Sequence, residues 1–280
     1  ADHMRKSAGS LIVLAASLAL LASACAQPAD EAGPATTAAM AEVSTITEGV
    51  LTIGSDIPFP PFEFEEGGQL TGYDVELAEE IAARLGLEPS WVDTAFDTIF
   101  TQLAAGQFDM VASATTITEE RQQTVDFSIP YYRAQQALTV NSEETPDIQA
   151  VEDLGEGHSV AVQTGTTGEI WAQENLAPNG VEVRSFPEAA DTFTALEAGQ
   201  VTAVIFDEPA AVDAAAERPS LAVVDTIDID EEYGFPVNPE NDELLDAVNQ
   251  ALQAMIDDGT YQEIYTKYFP EAPAGSVAEG

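Results

Sequence analysis

The chain has 280 residues, 45% of them apolar, enough for a packed core and for either one large domain or two ordinary ones. Fifty acidic side chains face eight basic ones, a formal net charge of −42. This balance argues against nucleic acid as a partner, since affinity there is built on phosphate neutralisation. It repels anionic solutes and attracts small cations at low salt, and it also suits a plain solubility or high-salt adaptation of the whole surface.

Met4-Arg5-Lys6 gives a basic start, Leu11 to Leu21 a nearly unbroken apolar stretch, and Leu21-Ala22-Ser23-Ala24-Cys25 follows. A basic region, a short apolar region and small residues before a cut predict a secretory signal over residues 1–25. Cys25 is the only cysteine, so no intrachain disulfide forms. Its place after small residues resembles a bacterial lipobox and predicts a lipid anchor. Ala22 stands where that pattern prefers Leu, so a plain signal peptide with a stray cysteine is the alternative. Residues 26–47, rich in Ala, Thr, Pro, Gly and acids, predict a flexible tether.

From Val50 onward strand and helix alternate. Val50 to Gly54 reads as a strand, and Pro58, Pro60 and Pro61 force an extended loop. Asp74 is expected to cap a helix carrying Leu77, Ile81 and Leu85 on one face, stopped by Gly86. Ser90 to Val92 reads as a strand and Ile99 to Leu103 as a helix ending near Gly106. Met110 to Ala114 predicts a strand, and Thr118-Glu119-Glu120 a short helix. The rhythm then restarts. Ser159 to Gln163 predicts a strand and Thr166 or Thr167 a cap for a helix with Ile170 and Trp171. Val181 to Phe186 and Val201 to Phe206 read as strands, Glu188 to Ala198 and Pro209 to Ala216 as helices. Leu244, Val248, Leu252 and Met255 make one amphipathic face, and Tyr261 to Phe269 a last helix. Repeated βαβ units imply largely parallel sheets.

Ligands of such sheets bind beyond the carboxyl ends of the strands. Four loops leave strands there with unusual chemistry: Ser55 to Phe64, Ala114 to Arg121, Gln163 to Gly168, and Phe206 to Pro209. Arg121 is one of six basic residues after Cys25, and its fork suits a carboxylate. An ordinary surface ion pair is the competing use. Asp207 can accept from an ammonium or cap the Pro209 helix. Gly165-Thr166-Thr167-Gly168 offers free N–H groups to an anion or simply caps a helix. Phe59 and Phe96 can sandwich a side chain or belong to the core. His158 is alone beside a glycine loop, and there is no cysteine nucleophile after Cys25, no histidine-rich metal cluster and no Gly-x-Ser-x-Gly elbow. No metal, no cofactor and no catalytic residue is therefore expected.

Taken together, Asp56-Ile57-Pro58-Phe59-Pro60-Pro61-Phe62-Glu63-Phe64, Gly72-Tyr73-Asp74-Val75-Glu76-Leu77-Ala78, Thr116-Ile117-Thr118-Glu119-Glu120-Arg121 and Val125-Asp126-Phe127-Ser128-Ile129-Pro130-Tyr131-Tyr132 are recognisable. So are Glu232-Tyr233-Gly234 and Asp258 to Tyr265. Over about Glu48 to Pro270 the chain resembles family 3 of the bacterial extracellular solute-binding proteins, the polar amino-acid-binding group of ABC importers. The resemblance implies an α/β protein of the two-lobe periplasmic-binding-protein-like fold (type II), each lobe a sheet flanked by helices, joined by a two-stranded hinge. One lobe would hold 48–131 and 235–270 and the other 134–229, with crossings near Tyr132 and Glu231 and a disordered tail over 271–280.

It also implies roles. Arg121 would clamp a ligand α-carboxylate with backbone N–H groups of Thr116 and Thr167, beside Thr166. Asp207 would receive the α-ammonium with the Ala114 carbonyl and the Thr116 hydroxyl. Asp56, Phe59, Phe96, Ser113 and Gln163 would line the side-chain end. The ligand would be a small zwitterionic amino acid, with arginine, lysine or ornithine ranked above glutamine and both above glutamate. Asp56 favours cations, and Gln163 stands where some glutamine-binding relatives carry Lys. The partner would be an ABC permease, the protein an exported monomer on the outer face of the membrane as a lipoprotein, or in the periplasm. Other readings are a periplasmic dehydratase of the cyclohexadienyl type, a binder of the compatible solute ectoine, and a ligand-sensing partner of a membrane receptor.

Overall fold

The computed structural model describes residues 43–270. The signal segment, Cys25, most of the tether and the 271–280 tail lie outside the described residues. No helix among the described residues is long and apolar enough to cross a membrane.

The first sheet forms around β1 (Val50–Ser55), whose Leu51 and Ile53 are fully buried. It pairs in parallel with β4 (Glu88–Asp93) and β5 (Met110–Val111). β12 (Pro236–Val237) and β6 (Asp126–Phe127) complete the order β4-β1-β5-β12-β6, so the sheet is closed by chain returning from far downstream. A small hairpin, β2 (Phe64–Glu66) with β3 (Gln69–Thr71), leads into α1 (Tyr73–Leu85). That helix buries Leu77 and Ile81 completely, each contributing roughly 1.5–3 kcal/mol relative to exposure. Gly86 ends it in the left-handed conformation, its N–H returning to the last turn.

The helix start differs from expectation. Gly72 is the N-cap, and Asp74 lies inside the first turn, pointing into the protein rather than capping. Gly72 has φ 136°, and a Cβ there would come within 2.0 Å of the Phe62 carbonyl oxygen. Both the conformation and the close approach demand glycine. Gly72→Ala is expected to destabilise by about 2–4 kcal/mol, read as a lowered urea midpoint at unchanged slope.

In the second sheet β11 (Leu221–Tyr233), β7 (Tyr132–Asn141), β10 (Ala203–Asp207), β8 (Ser159–Gln163) and β9 (Glu182–Phe186) lie side by side in that order. β8 lies parallel to β9 and to β10. Helices α3 (Thr167–Asn175), α4 (Ala189–Glu197) and α5 (Glu208–Glu217) connect them. β7 runs antiparallel to β10 and to β11, and together β7 and β11 link the sheets as two long strands. The pairing of Tyr132 with Tyr233 marks the crossing. α6 (Asp242–Asp258) and α7 (Thr260–Tyr268) pack back on α1, with Leu244, Val248, Leu252 and Met255 all buried. The result is the two-lobe type II periplasmic-binding architecture.

The base of the crossing is aromatic. Tyr131 stacks on Phe235 at 4.2 Å, and Phe62 meets Tyr132 and Tyr233 edge-on at 5.3 and 5.4 Å. Such rings supply large buried area with defined geometry, which suits a joint that must hold its register.

Three further expectations shift. The strand at Met110 ends at Val111, and Ala114 takes φ 45°, a left-handed conformation costly for a residue with a Cβ. The short helix after Thr118 is a single 3₁₀ turn, Arg121–Gln123. Val43 to Thr47, the last of the expected tether, is tied down: the Ile46 N–H donates to Asp109 at 2.8 Å and the Asn241 amide to the Ser44 carbonyl at 2.9 Å.

Candidate functional site

The ends of β1, β5, β8 and β10 meet between the lobes, and the four loops leaving them enclose one pocket. Asp56, Phe59, Phe96, Ser113, Ala114, Thr116, Arg121, Gln163, Thr166, Thr167 and Asp207 line it. The residues expected to bind ligand are thus all brought together. The walls leave about 20 Å³ of free space. That is room for about one water, so a larger solute enters only if the lobes part.

Arg121 comes from the first lobe. Its guanidinium donates to the Thr116 carbonyl at 2.8 Å and, across the cleft, to the Gly165 carbonyl at 3.2 Å. It lies over the rings of Phe100 and Phe96, 4.7 and 5.3 Å from their centroids. Every other basic side chain of the described lysines and arginines pairs with an acid: Arg84, Arg133, Arg184, Arg218 and Lys267. Arg121 forms no such pair among the described residues, which disposes of the surface ion pair. Burial pulls its pKa down to about 10, against the opposing pull of Glu231 and Asp207.

Asp207 ends β10 in the second lobe. It stands at the N-cap of α5 but makes no side-chain cap bond. Its carboxylate instead accepts from the Tyr233 hydroxyl at 2.5 Å and from the Gln136 amide. Burial raises it to about 7, with Glu231 adding and Tyr233, Gln136 and Arg121 subtracting. One cation and one carboxylate from opposite lobes therefore face the same small space. Thr166 is the cap of α3, its hydroxyl accepting from the Glu169 N–H at 3.1 Å, which leaves Thr167 at the helix start where backbone N–H groups lack helical acceptors.

The other end of the pocket is built on Asp56. Gln163 donates to it across the cleft at 2.6 Å. Burial pushes Asp56 up to about 6; the Gln163 bond opposes this, and Glu188, Asp93 and Asp97 push it further. These acids make this end a cation-favouring field. Phe59 and Phe96 each form pocket wall and core at once, Phe59 tilting on Phe206 at 5.4 Å across the cleft and Phe96 meeting Phe100 at 5.8 Å. Beyond Phe59 and Phe206 a groove of about 520 Å³ opens.

A profile of the bacterial extracellular solute-binding proteins, family 3, matches residues 51–271. The chain belongs to this family. The L-cystine-binding protein TcyJ of Escherichia coli is 34% identical over 223 residues, 79% of this chain and 83% of that one. Two solved structures are similar throughout. An ancestral arginine-binding protein bound to arginine is 38% identical with a TM-score of 0.75, covering 79% of this chain and 98% of that one. An ancestral arginine-binding protein bound to glutamine is 39% identical with a TM-score of 0.76, covering 80% and 100%.

In this family 3 protein the pocket rests on buried polar groups that sequence reasoning missed. The Ser113 hydroxyl donates to Glu63 at 2.8 Å and accepts from the Asp56 N–H at 3.0 Å. The Ala114 N–H and the Tyr131 hydroxyl donate to Asp74 at 2.8 and 2.6 Å. Glu63 and Asp74 are fully buried. Burial raises Glu63 well above the ordinary carboxylate range and Asp74 to about 7. Asp74 thus holds the strained Ala114 in place from behind. Glu63 and Asp74 lie inside the quoted motifs, but nothing local marks either as a support of the pocket, because acids are too abundant in this chain for any one to stand out and Asp74 reads as a helix cap.

Proposed function

We propose that this chain is the extracytoplasmic binding component of an ABC importer for a polar or cationic amino acid. Its lobes shut on the two poles of the solute, and the permease responds to the shut form. The carrying observation is Arg121, the cation left without an acidic partner among the described residues, facing Asp207 from the opposite lobe. A zwitterion loses two hydration shells on entering such a space, and a clamp for each pole offsets that cost. Contacts to both lobes exist only when they are shut, so the ligand shifts the population toward the shut state. Binding rather than turnover is supported by a pocket whose polar groups are locked by hydrogen bonds, and by relatives named for binding. A secretory signal with lipidation at Cys25 would keep the protein, acting as a monomer, beside the membrane.

Asp56 and its acidic neighbours favour arginine, lysine or ornithine over glutamine, and glutamine over glutamate. Arginine is expected to bind about 100-fold more tightly than glutamate, a difference of about 2.7 kcal/mol. Asp56→Asn is expected to weaken arginine about tenfold or more and glutamine by far less. Protonation of Asp56 competes with a cationic side chain, so arginine affinity falls relative to glutamine affinity as pH drops through about 6. Calorimetry at pH 5 and pH 7.5 checks this.

A thermal-shift panel of the twenty amino acids, ornithine and ectoine tests the class, because a ligand well above its dissociation constant raises the melting point by mass action. A shift with ectoine alone would move the assignment to compatible solutes, and turnover of prephenate or arogenate would move it to a dehydratase.

A further inference from the structure

Glu231 is a buried acid on β11, 6% exposed, and it lies just past an irregularity in the β11–β7 register between Ile227 and Glu231. That irregularity sets Glu231 against β7 beside Asp207, which sits on the opposite side of the same strand. Between them stands Gln136 of β7, fully buried. Its single amide nitrogen donates both to Asp207 and, at 3.2 Å, to Glu231. The Thr116 hydroxyl approaches Glu231 at 3.5 Å from the first lobe. The other charged or titratable groups facing this pair are Arg121 from the 3₁₀ turn, Tyr233 from β11 and Tyr132 from β7; Glu63 lies further off on the first lobe. The ammonium end of the pocket is thus backed by two carboxyls and one guanidinium. The α-ammonium and α-carboxylate of an amino acid cancel one another, and a cationic side chain is matched by Asp56 at the far end, so shutting the lobes would bury one negative charge here without compensation, which a low-dielectric interior does not tolerate.

We propose that Glu231 is a positioning residue of the ligand site that titrates jointly with Asp207, the two carboxyls flanking the Gln136 amide and holding one proton between them once the lobes shut, so that capturing an amino acid takes up a proton from solution. Asp207, Gln136 and Glu231 all belong to β10, β7 and β11 of one sheet, so the pair is assembled before the lobes shut. Closure removes its remaining water and drives the protonation. Glu231 lies on a linking strand, so the proton also ties the occupancy of the pocket to the segment that bends. This inference rests on the amino-acid reading for its ligand but not for the pair itself, and the two separate by experiment.

In ligand-free protein, a carbon-detected NMR titration of the Asp207 carboxyl is expected to show a midpoint raised above the ordinary aspartate value, falling by about one pH unit or more in Glu231→Gln. An unmoved midpoint overturns the pair. With arginine as the probe, calorimetry at saturation in phosphate and in Tris is expected to give a buffer-dependent enthalpy equivalent to about one proton taken up, and close to none in Glu231→Gln. Equal proton counts in the two proteins overturn the coupling. A protein that binds no amino acid refutes the proposed function, and the ligand-free titration still decides whether the pair exists. Glu231→Asp, which keeps the charge, is expected to restore part of the uptake; a merely structural role for Glu231 would leave the count untouched in every variant.

Discussion

Arg121→Ala is expected to weaken amino-acid binding by about two to three orders of magnitude while leaving the protein folded. Removing one member of a desolvated, hydrogen-bonded charge pair costs about 2–5 kcal/mol, and each 1.4 kcal/mol is tenfold. The side chain's own bonds in the protein are to two carbonyls, Thr116 and Gly165, on loops that water can reach once the lobes part. Its packing on Phe96 and Phe100 is replaceable by solvent at modest cost. Stability therefore falls little, and circular dichroism with a urea titration separates lost binding from lost folding. Arg121→Lys keeps the charge but not the fork, and an intermediate loss is expected.

Asp207→Asn carries the second large effect. The substitution keeps the shape and an oxygen for the Tyr233 hydroxyl, but it removes the charge that an ammonium needs. Binding is expected to weaken by about two orders of magnitude, mostly through faster release. The pH response has the opposite sign from the binding loss. Asp207 is raised to about 7 in the folded protein against an ordinary value of 3.8, so the folded state holds more protons between those limits. Stability of the unliganded protein accordingly declines as pH rises through that window, and Asp207→Asn flattens the decline. Urea midpoints at pH 5 and pH 8 for both proteins measure it.

Much of the framework is legible in the residues because its elements have clean periods. Leu77 and Ile81 on α1, and Leu244, Val248, Leu252 and Met255 on α6, repeat at helical spacing and are all buried. The two long linking strands are not legible in that way. β7 and β11 bury Gln136 and Glu231 where a hydrophobic alternation would be sought, because these polar side chains back Asp207 at the pocket. Asp74 misleads for a related reason. An acid next to a helix start reads as a cap, but here a tight glycine takes that position and the carboxyl turns inward to hold Ala114.

The pocket itself was more readable than its support. Asp207 and Asp56 stand at the ends of recognisable strands, Arg121 stands in the loop that follows another, and a scarce cation among so many acids is conspicuous. Gln136, Glu63 and Glu231 reach the site through the register irregularity of β11 and through contacts 50 to 95 residues apart in sequence, which no local pattern encodes.

Comparing calorimetric affinities for arginine, argininamide and Nα-acetylarginine is the most direct test of a grip on both poles from opposite lobes. The amide lacks the anion that Arg121 would meet, and the acetyl derivative lacks the cation that Asp207 would meet. Arginine is expected to bind at least about a hundredfold more tightly than either derivative. Equal affinity of arginine and either derivative would contradict the account.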